Sequence, residues 1–113
     1  METQAKPTTD VSISVDEVLD VLHQAIDGKI AVTPVDTEWA AAWCGDVAFM
    51  FGDWRMTFFN DCMELDYLDT AVAPDGRVAS YADWDVWPVE ILSAHDAGAY
   101  ARLERIIEDA ELP

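Results

Sequence analysis

Two stretches rich in apolar residues, on either side of Gly52-Asp53, predict a β-hairpin between residues 47 and 58. With Gly52-Asp53 as a two-residue turn, Phe51 lies opposite Trp54, and opposed residues share a face of the sheet. We therefore expect strands over residues 46–51 and 54–59. One face then carries Val47, Phe49, Phe51, Trp54, Met56 and Phe58, and the other carries Ala48, Met50, Arg55 and Thr57. The first face is predicted to be buried in the core, with the helices packed on it.

Two amphipathic helices are predicted at the ends of the chain. Ser14 and Glu17 form a capping box, flanked by Ile13 and Val18 as a hydrophobic staple, so a helix over about residues 15–27 is expected, with Gly28 just beyond its end. Near the C-terminus, Ser93 followed by Asp96 predicts the start of a second helix. Its apolar positions are Ala99, Leu103, Ile106, Ile107 and Ala110. Residues 1–12 are polar and aperiodic, and we interpret them as a flexible lead-in to a single domain over residues 13–113.

The segments between the helices and the hairpin are less regular. Residues 29–35 predict a short strand, which Pro34 confines to a sheet edge or to a strand end. In residues 37–44 the alanines favour a helix and the two tryptophans a strand, and a short strand or irregular segment is preferred. Residues 64–73 predict a strand with Leu65, Tyr67 and Ala71 on one face and Asp66, Leu68 and Thr70 on the other. Asp69 would fall on the apolar face, which indicates a bulge, a rim position or a site. The turn Pro74-Asp75-Gly76 predicts a returning strand over residues 77–81, and residues 83–90 an aromatic, acidic connector.

The order helix, antiparallel strands, helix predicts an α+β fold. We expect an antiparallel sheet of about four to five strands with the N-terminal and C-terminal helices packed on one face, because one face of such a sheet must be covered.

Charge changes this picture more than composition does. Of 113 residues, 51% are hydrophobic, which is enough for one core, but 23 Asp and Glu stand against 6 Lys and Arg, for a formal net charge of −17. Such a surface repels nucleic-acid phosphates and anionic membranes and attracts basic partners or cations. We find no signal-peptide pattern and no apolar run of about 20 residues, so we expect a cytoplasmic protein. Cys44 and Cys62 are interpreted as reduced, buried residues, with close approach in the sheet as the alternative.

Three motifs carry a family resemblance. They are Phe59-Asn60-Asp61-Cys62 at the end of a Trp-rich strand, Leu65-Asp66-Tyr67, and Ala73-Pro74-Asp75-Gly76. With them the chain resembles a group of small, functionally uncharacterised proteobacterial domain proteins. The resemblance implies a fold and a bacterial origin, and transfers no functional residue.

Two kinds of site chemistry compete with simpler interpretations of the same residues. A cation site is one hypothesis, made by Asn60, Asp61, Glu64, Asp66 and Asp69, although the spacing does not match an EF-hand and a solvated acidic face beside a structural turn is preferred. His23 and His95 have no nucleophile or base at a recognisable spacing. We therefore expect a non-enzymatic protein without a cofactor.

Recognition by charge is the leading hypothesis. Its predicted partner-binding residues are Asp61, Glu64, Asp66, Asp69, Asp83, Trp84, Asp85, Trp87 and Glu90. The carboxylates would imitate phosphates, and Trp84 and Trp87 would be anchors, unless these two are core residues. The expected function is that of a bacterial or phage inhibitor, such as an anti-CRISPR or immunity protein, which blocks the basic surface of a nucleic-acid-binding effector or toxin. The alternatives are a small metal- or ligand-binding domain that uses residues 60–69, and an accessory domain that forms a homodimer through its sheet edge.

Overall fold

A meander of five antiparallel strands is framed by helices in this computed structural model, which describes residues 13–113. The strands follow one another in the sheet in chain order, so every connection joins neighbours. The elements are α1 (Val15–Ile26), β1 (Val32–Pro34), α2 (Trp39–Ala42), β2 (Gly45–Phe51), β3 (Trp54–Asp61), β4 (Glu64–Val72), β5 (Val78–Ser80), a 3₁₀ turn (Tyr81–Asp83), α3 (Pro88–His95) and α4 (Ala97–Asp109). The α+β prediction is confirmed. The predicted lead-in, residues 1–12, lies outside the described residues.

The predicted hairpin forms in the predicted register. Phe51 pairs with Trp54, Phe49 with Met56, and the pairing continues to Gly45 opposite Asn60. Gly52 has φ of +59°, a conformation that glycine adopts without a Cβ penalty and that suits the first position of a tight hairpin turn. The glycine turn and the facing pairs of apolar side chains therefore specify the same register.

One face of the sheet and the inner faces of the helices form the core. Phe49, Phe51 and Phe58 are fully buried on the sheet side, and the helices bury Leu22 and Leu103 against them. The helix α1 begins as predicted, because Ser14 Oγ accepts a hydrogen bond from Glu17 N at 3.1 Å and Glu17 Oε1 accepts one from Ser14 N at 3.2 Å. Burial of this apolar face is the main favourable contribution to folding.

The strand β4 contains two bulges, and they correct the predicted faces. The pairing with β3 shifts between Thr57 and Phe58 and again between Phe59 and Asn60, which leaves Asp69 and Asp66 as extra residues. Between the two extra residues, Tyr67 and Leu68 each lie on the face opposite to the predicted one, whereas Leu65 and Ala71 lie on the predicted face. Leu68 is therefore buried opposite Phe58, whereas Tyr67 lies on the other face with Phe59. The placement of Tyr67 with Leu65 and Ala71 was wrong, and the bulge is the correct explanation for Asp69.

Residues 39–42 before the hairpin are helical, so the short strand or irregular segment predicted over residues 37–44 was wrong for these four residues. Trp39 begins the helix α2 and is fully buried against Phe49, with ring centroids 6.1 Å apart. Insertion of this side chain into the core, together with the helix propensity of the alanines, outweighs the strand preference of tryptophan.

The C-terminal part contains two helices where one was predicted. Pro88 stands at the first turn of α3, a position where proline is well tolerated, so part of the predicted connector is helical. Ser93 lies inside α3 and is not a cap. Asp96, at φ −151° and ψ 77°, breaks the helix and caps α4 by accepting a hydrogen bond from Ala99 N at 3.0 Å.

Both sheet edges are short. The edge strands β1 and β5 have three residues each, and Pro34 ends β1. Short edge strands, and Pro34 in β1, discourage pairing with a further strand, so the predicted homodimer through the sheet edge gains no support from this geometry. Across residues 13–113, the helices are all too short or too polar to cross a bilayer.

Candidate functional site

Four of the nine predicted partner-binding residues line one acidic cleft. The cleft has a volume of about 270 Å³ and lies where the start of β4 meets α3 and α4. Its carboxylates come from Asp61 and Glu64 beside the β3–β4 turn, from Asp66 in the first bulge, and from Glu90 in α3. The remaining lining residues are Leu65, Val89, Ser93 and Tyr100. The described lining thus contains four acidic side chains and no basic one.

Side chains of α4 fix the wall of this cleft. The Tyr100 hydroxyl donates a hydrogen bond to the carbonyl oxygen of Leu65 at 2.6 Å, and Glu104 Oε2 accepts one from Leu65 N at 3.3 Å. Burial, assisted by the charges of Glu104, Glu64 and other nearby carboxylates, raises the pKa of Tyr100 to about 12. The hydroxyl therefore stays protonated at neutral pH and remains a donor, which anchors β4 beside its first bulge.

The charge of Asp66 contributes to the raised pKa values of several neighbouring groups. Burial raises the pKa of Glu90, a hydrogen bond to its own backbone opposes that rise, and the charge of Asp66 adds to it. The same Asp66 charge contributes to the raised pKa of Tyr100 and, on the other side, to that of Tyr67. Asp66 lines the cleft and directly precedes Tyr67, which lies on the outer face of the sheet.

Four aromatic side chains contact one another in a continuous row along that outer face, two of the ring pairs stacked and the middle pair tilted by 50°. We call Phe59, Tyr67, Tyr81 and Trp87 the aromatic row. Centroid distances are 5.3 Å between Phe59 and Tyr67, 4.7 Å between Tyr67 and Tyr81, and 4.7 Å between Tyr81 and Trp87, whose planes differ by 9°. Each of the four is half-buried, so ring faces or edges remain accessible to a ligand.

A pair of carboxyl groups flanks the aromatic row. The pKa of Asp46 is raised by burial, by a hydrogen bond with Asp69 and by the charge of Asp69. A hydrogen bond between two carboxyl groups requires a proton, and at neutral pH their charges repel instead. The two carboxylates therefore repel each other when both are ionised, and a cation placed between them would reduce that repulsion.

The Asp46 pair gives a pH-dependent stability prediction. The pKa of Asp46 in the folded state is higher than its ordinary value of 3.8, so the folded state binds the proton more tightly than the unfolded chain does. The stability that this proton contributes is fully present below pH 3.8 and is lost as the pH rises through the folded-state pKa. Asp46→Asn should therefore raise the melting temperature at neutral pH by about 1–2 °C, a small value because the site is exposed to solvent, and leave it unchanged in acid.

Asp53→Asn is the matched control, because it removes the same charge in the hairpin turn at the opposite end of β2. Thermal melts of both variants across acidic to neutral pH measure the difference. An equal gain for Asp53→Asn would assign the effect to net charge and contradict the pairing with Asp69.

The comparisons with known proteins identify a family. Residues 12–108 match the family model described as "Domain of unknown function (DUF7693)". The chain belongs to the DUF7693 family. Neither a curated protein nor a solved structure matches it significantly. The matched span includes the acidic cleft and the aromatic row, so both lie within the DUF7693 domain itself.

The two predicted tryptophan anchors have different positions in the DUF7693 fold. Trp84 is 5% exposed, and its indole Nε1 donates to the carbonyl oxygen of Ile13 at 2.9 Å, so it is a core residue and not a surface anchor. Trp87 is half-buried and joins the aromatic row, with its Nε1 donating to the Tyr81 carbonyl oxygen at 2.9 Å. Of these two tryptophans, Trp87 is the one that presents a ring at the surface.

Asp83 and Asp85 are both exposed, but they differ in structural role. Asp83 Oδ2 accepts hydrogen bonds from Ser80 N at 2.8 Å and from Ser80 Oγ at 3.3 Å, which caps the 3₁₀ turn. Asp85 lies in the exposed connector before α3. Neither lines the cleft, so the structure does not bring the nine predicted residues into one site.

The hypothesis of a cation site in the DUF7693 domain loses its amide ligand. Asn60 is fully buried; its Nδ2 donates to the Trp39 carbonyl oxygen at 3.0 Å and its Oδ1 accepts from Met63 N at 2.6 Å. It therefore joins α2 to the β3–β4 turn. Among the described residues, no group of three or more His, Cys, Asp or Glu side chains is placed to hold a metal ion.

Several residues of the site were missed by sequence reasoning. Asp46, Phe59, Tyr67 and Tyr81 were assigned only to strands, and Tyr100 was not considered. The bulges conceal the shared face of Phe59 and Tyr67 from a strict two-residue alternation. A β3–β4 pairing with Tyr67 directly opposite Phe59 would have predicted that the two rings share a face.

Proposed function

We propose that this DUF7693 domain is a non-enzymatic protein that binds and blocks the basic surface of another protein. The proposed binding surface combines the acidic cleft with the aromatic row and its flanking carboxylates. The single observation that carries the proposal is that Asp66 lines the acidic cleft while the next residue in β4, Tyr67, belongs to the aromatic row.

Arginine is the side chain that fits this surface best. A guanidinium group forms charge-assisted hydrogen bonds to carboxylates and also stacks on aromatic rings, whereas an ammonium group is more strongly hydrated. Carboxylates of the cleft and faces of the aromatic row are both available, and Asp46 and Asp69 gain from a cation that relieves their repulsion. An arginine-rich protein surface is therefore the proposed ligand.

Inhibition of a nucleic-acid-binding protein is the proposed consequence. A protein surface that binds phosphates presents arginine and lysine side chains, and an acidic domain with a formal net charge of −17 is steered to such a surface over long distances. Once bound, its carboxylates would occupy the positions of phosphates. A CRISPR effector and a nuclease toxin are two partners of this class.

Titration with defined peptides tests the proposal. The full chain should bind an arginine-rich peptide at low salt, bind a lysine-rich peptide of equal length and charge several-fold more weakly, and not bind the corresponding glutamate-rich peptide. Isothermal calorimetry measures all three. Equal affinity for the arginine and lysine peptides would leave only nonspecific charge attraction, and absence of binding to both would refute the proposal.

A further inference from the structure

The two cysteines lie side by side at the surface. Cys44 Sγ and Cys62 Sγ are 2.8 Å apart, and both residues are exposed, so the interpretation of buried thiols was wrong. Cys44 directly precedes β2, and Cys62 lies in the turn between β3 and β4. A disulfide bond is about 2.05 Å long, so only a small movement separates this contact from a covalent bond.

The backbone holds the two thiols together at the end of a strand ladder. The β2–β3 pairing ends at Gly45 opposite Asn60, and beyond it Met63 N donates to the Trp43 carbonyl oxygen at 3.0 Å. The residues Trp43, Cys62 and Met63 have φ values of 59°, 51° and 82°. Such values are unfavourable for residues with a Cβ, so this conformation depends on the contacts around it. The buried Asn60 amide supplies one of them through its hydrogen bond with Met63 N.

We propose that Cys44 and Cys62 are a site of reversible disulfide formation in the folded protein. The oxidant is a small-molecule disulfide. One cysteine thiolate attacks it and releases the first small thiol, which leaves a mixed disulfide on the protein. The second cysteine thiolate then attacks the protein sulfur, forms the Cys44–Cys62 bond and releases the second small thiol. Two electrons pass to the small disulfide, and the two protons lost by the cysteines are balanced by the two thiols formed.

The bond would brace the mouth of the acidic cleft. Cys62 lies between Asp61 and Glu64, which both line the cleft, and the bond would fix their turn to the start of β2. The closed loop joins residues 18 positions apart, so the bond also restricts the unfolded chain. The proposal of a disulfide does not rest on the proposed binding function.

The surroundings of the pair favour slow exchange. The pKa of the Cys62 thiol is raised by its hydrogen bond with Cys44, by partial loss of contact with water and by the charges of Cys44 and Asp61. A thiol with a raised pKa is mostly protonated at neutral pH, and the thiolate is the reactive form. The oxidation is therefore best followed in mildly alkaline buffer.

Oxidation of the full chain tests the proposal. The reduced protein is incubated with oxidised glutathione and then treated with iodoacetamide after denaturation. We expect the mass to fall by two hydrogen atoms, with no glutathione adduct and no alkylation, and peptide mapping to give a Cys44–Cys62 cross-link. The melting temperature should rise by about 5–10 °C and return to its original value on reduction.

Cys44→Ser and Cys62→Ser are the controls, because both positions are exposed and each variant keeps one thiol. Each should form a single mixed disulfide with glutathione and show no such rise in melting temperature. Wild-type protein that accumulates two glutathione adducts or an intermolecular dimer would overturn the proposal. So would a cross-linked monomer that melts at a lower temperature, since the bond would then form only by distorting the fold.

Discussion

Trp39→Ala is expected to lower the free energy of unfolding by about 3–5 kcal/mol, because it removes a fully buried aromatic side chain and leaves a cavity. Trp39 packs on Phe49, and its Nε1 donates to the Met63 carbonyl oxygen at 3.4 Å. Its own carbonyl oxygen accepts a hydrogen bond from the buried Asn60 amide. The substitution should therefore loosen α2 and the β3–β4 turn as well as the core. Urea denaturation of the variant and the wild type measures the difference.

Trp43→Ala is the matched control for this effect. It removes the same side chain four positions along the chain, but Trp43 is 60% exposed, so we expect a change within about 0.5 kcal/mol. Similar losses for the two variants would show that Trp39 is not the residue that closes this end of the core, and would contradict the placement of α2.

Trp39 also shows why part of the fold could not be predicted from the sequence. The helix α2 has only four residues, too few for a helical period to be recognised, and its formation depends on long-range contacts with Phe49 and Asn60. The hairpin was predictable for the opposite reason. Its register depends on the Gly52-Asp53 turn and on apolar residues that face one another directly across it, and both signals lie within a few residues of the turn.

The C-terminal helices illustrate competing local signals. Ser93 and Asp96 have the residue types of a helix start, and the pattern was assigned to one helix. Pro88 gives an equally good start signal five residues earlier, and Asp96 acts as the cap of the next helix. Both helix starts were visible in the sequence, but only packing decides that two short helices form.

The candidate site was predictable in composition and not in arrangement. The sequence indicated Asp61, Glu64, Asp66 and Glu90 by their excess of charge, and all four line the cleft. Their meeting depends on the β4 bulge and on the packing of α3 against β4, which join positions about 25 residues apart. Trp84 was indicated as a surface anchor by its acidic neighbours, but the hydrogen bond to Ile13 at the start of α1 places it in the core.

Neutralising three carboxylates of the proposed binding surface should weaken binding of the arginine-rich peptide by about 3- to 150-fold, since each exposed ion pair contributes about 0.2–1 kcal/mol. The variant is Asp66→Asn, Asp69→Asn and Glu90→Gln, which preserves side-chain shape. Relief of repulsion on the outer face and in the cleft should leave the fold intact or slightly more stable. Calorimetric titration at several salt concentrations measures the change.

A second triple variant separates this surface from overall charge. Asp20→Asn, Asp27→Asn and Asp53→Asn remove the same three charges from exposed positions in α1, just after it and in the hairpin turn, none of which lines the cleft. Long-range steering depends on net charge and is screened over about 10 Å at 0.1 M salt, so both variants should lose some affinity at low salt. Contact ion pairs are screened much less. The difference between the variants should therefore persist as salt is raised, whereas equal affinities at every salt concentration would mean that the peptide recognises only the net charge of the domain.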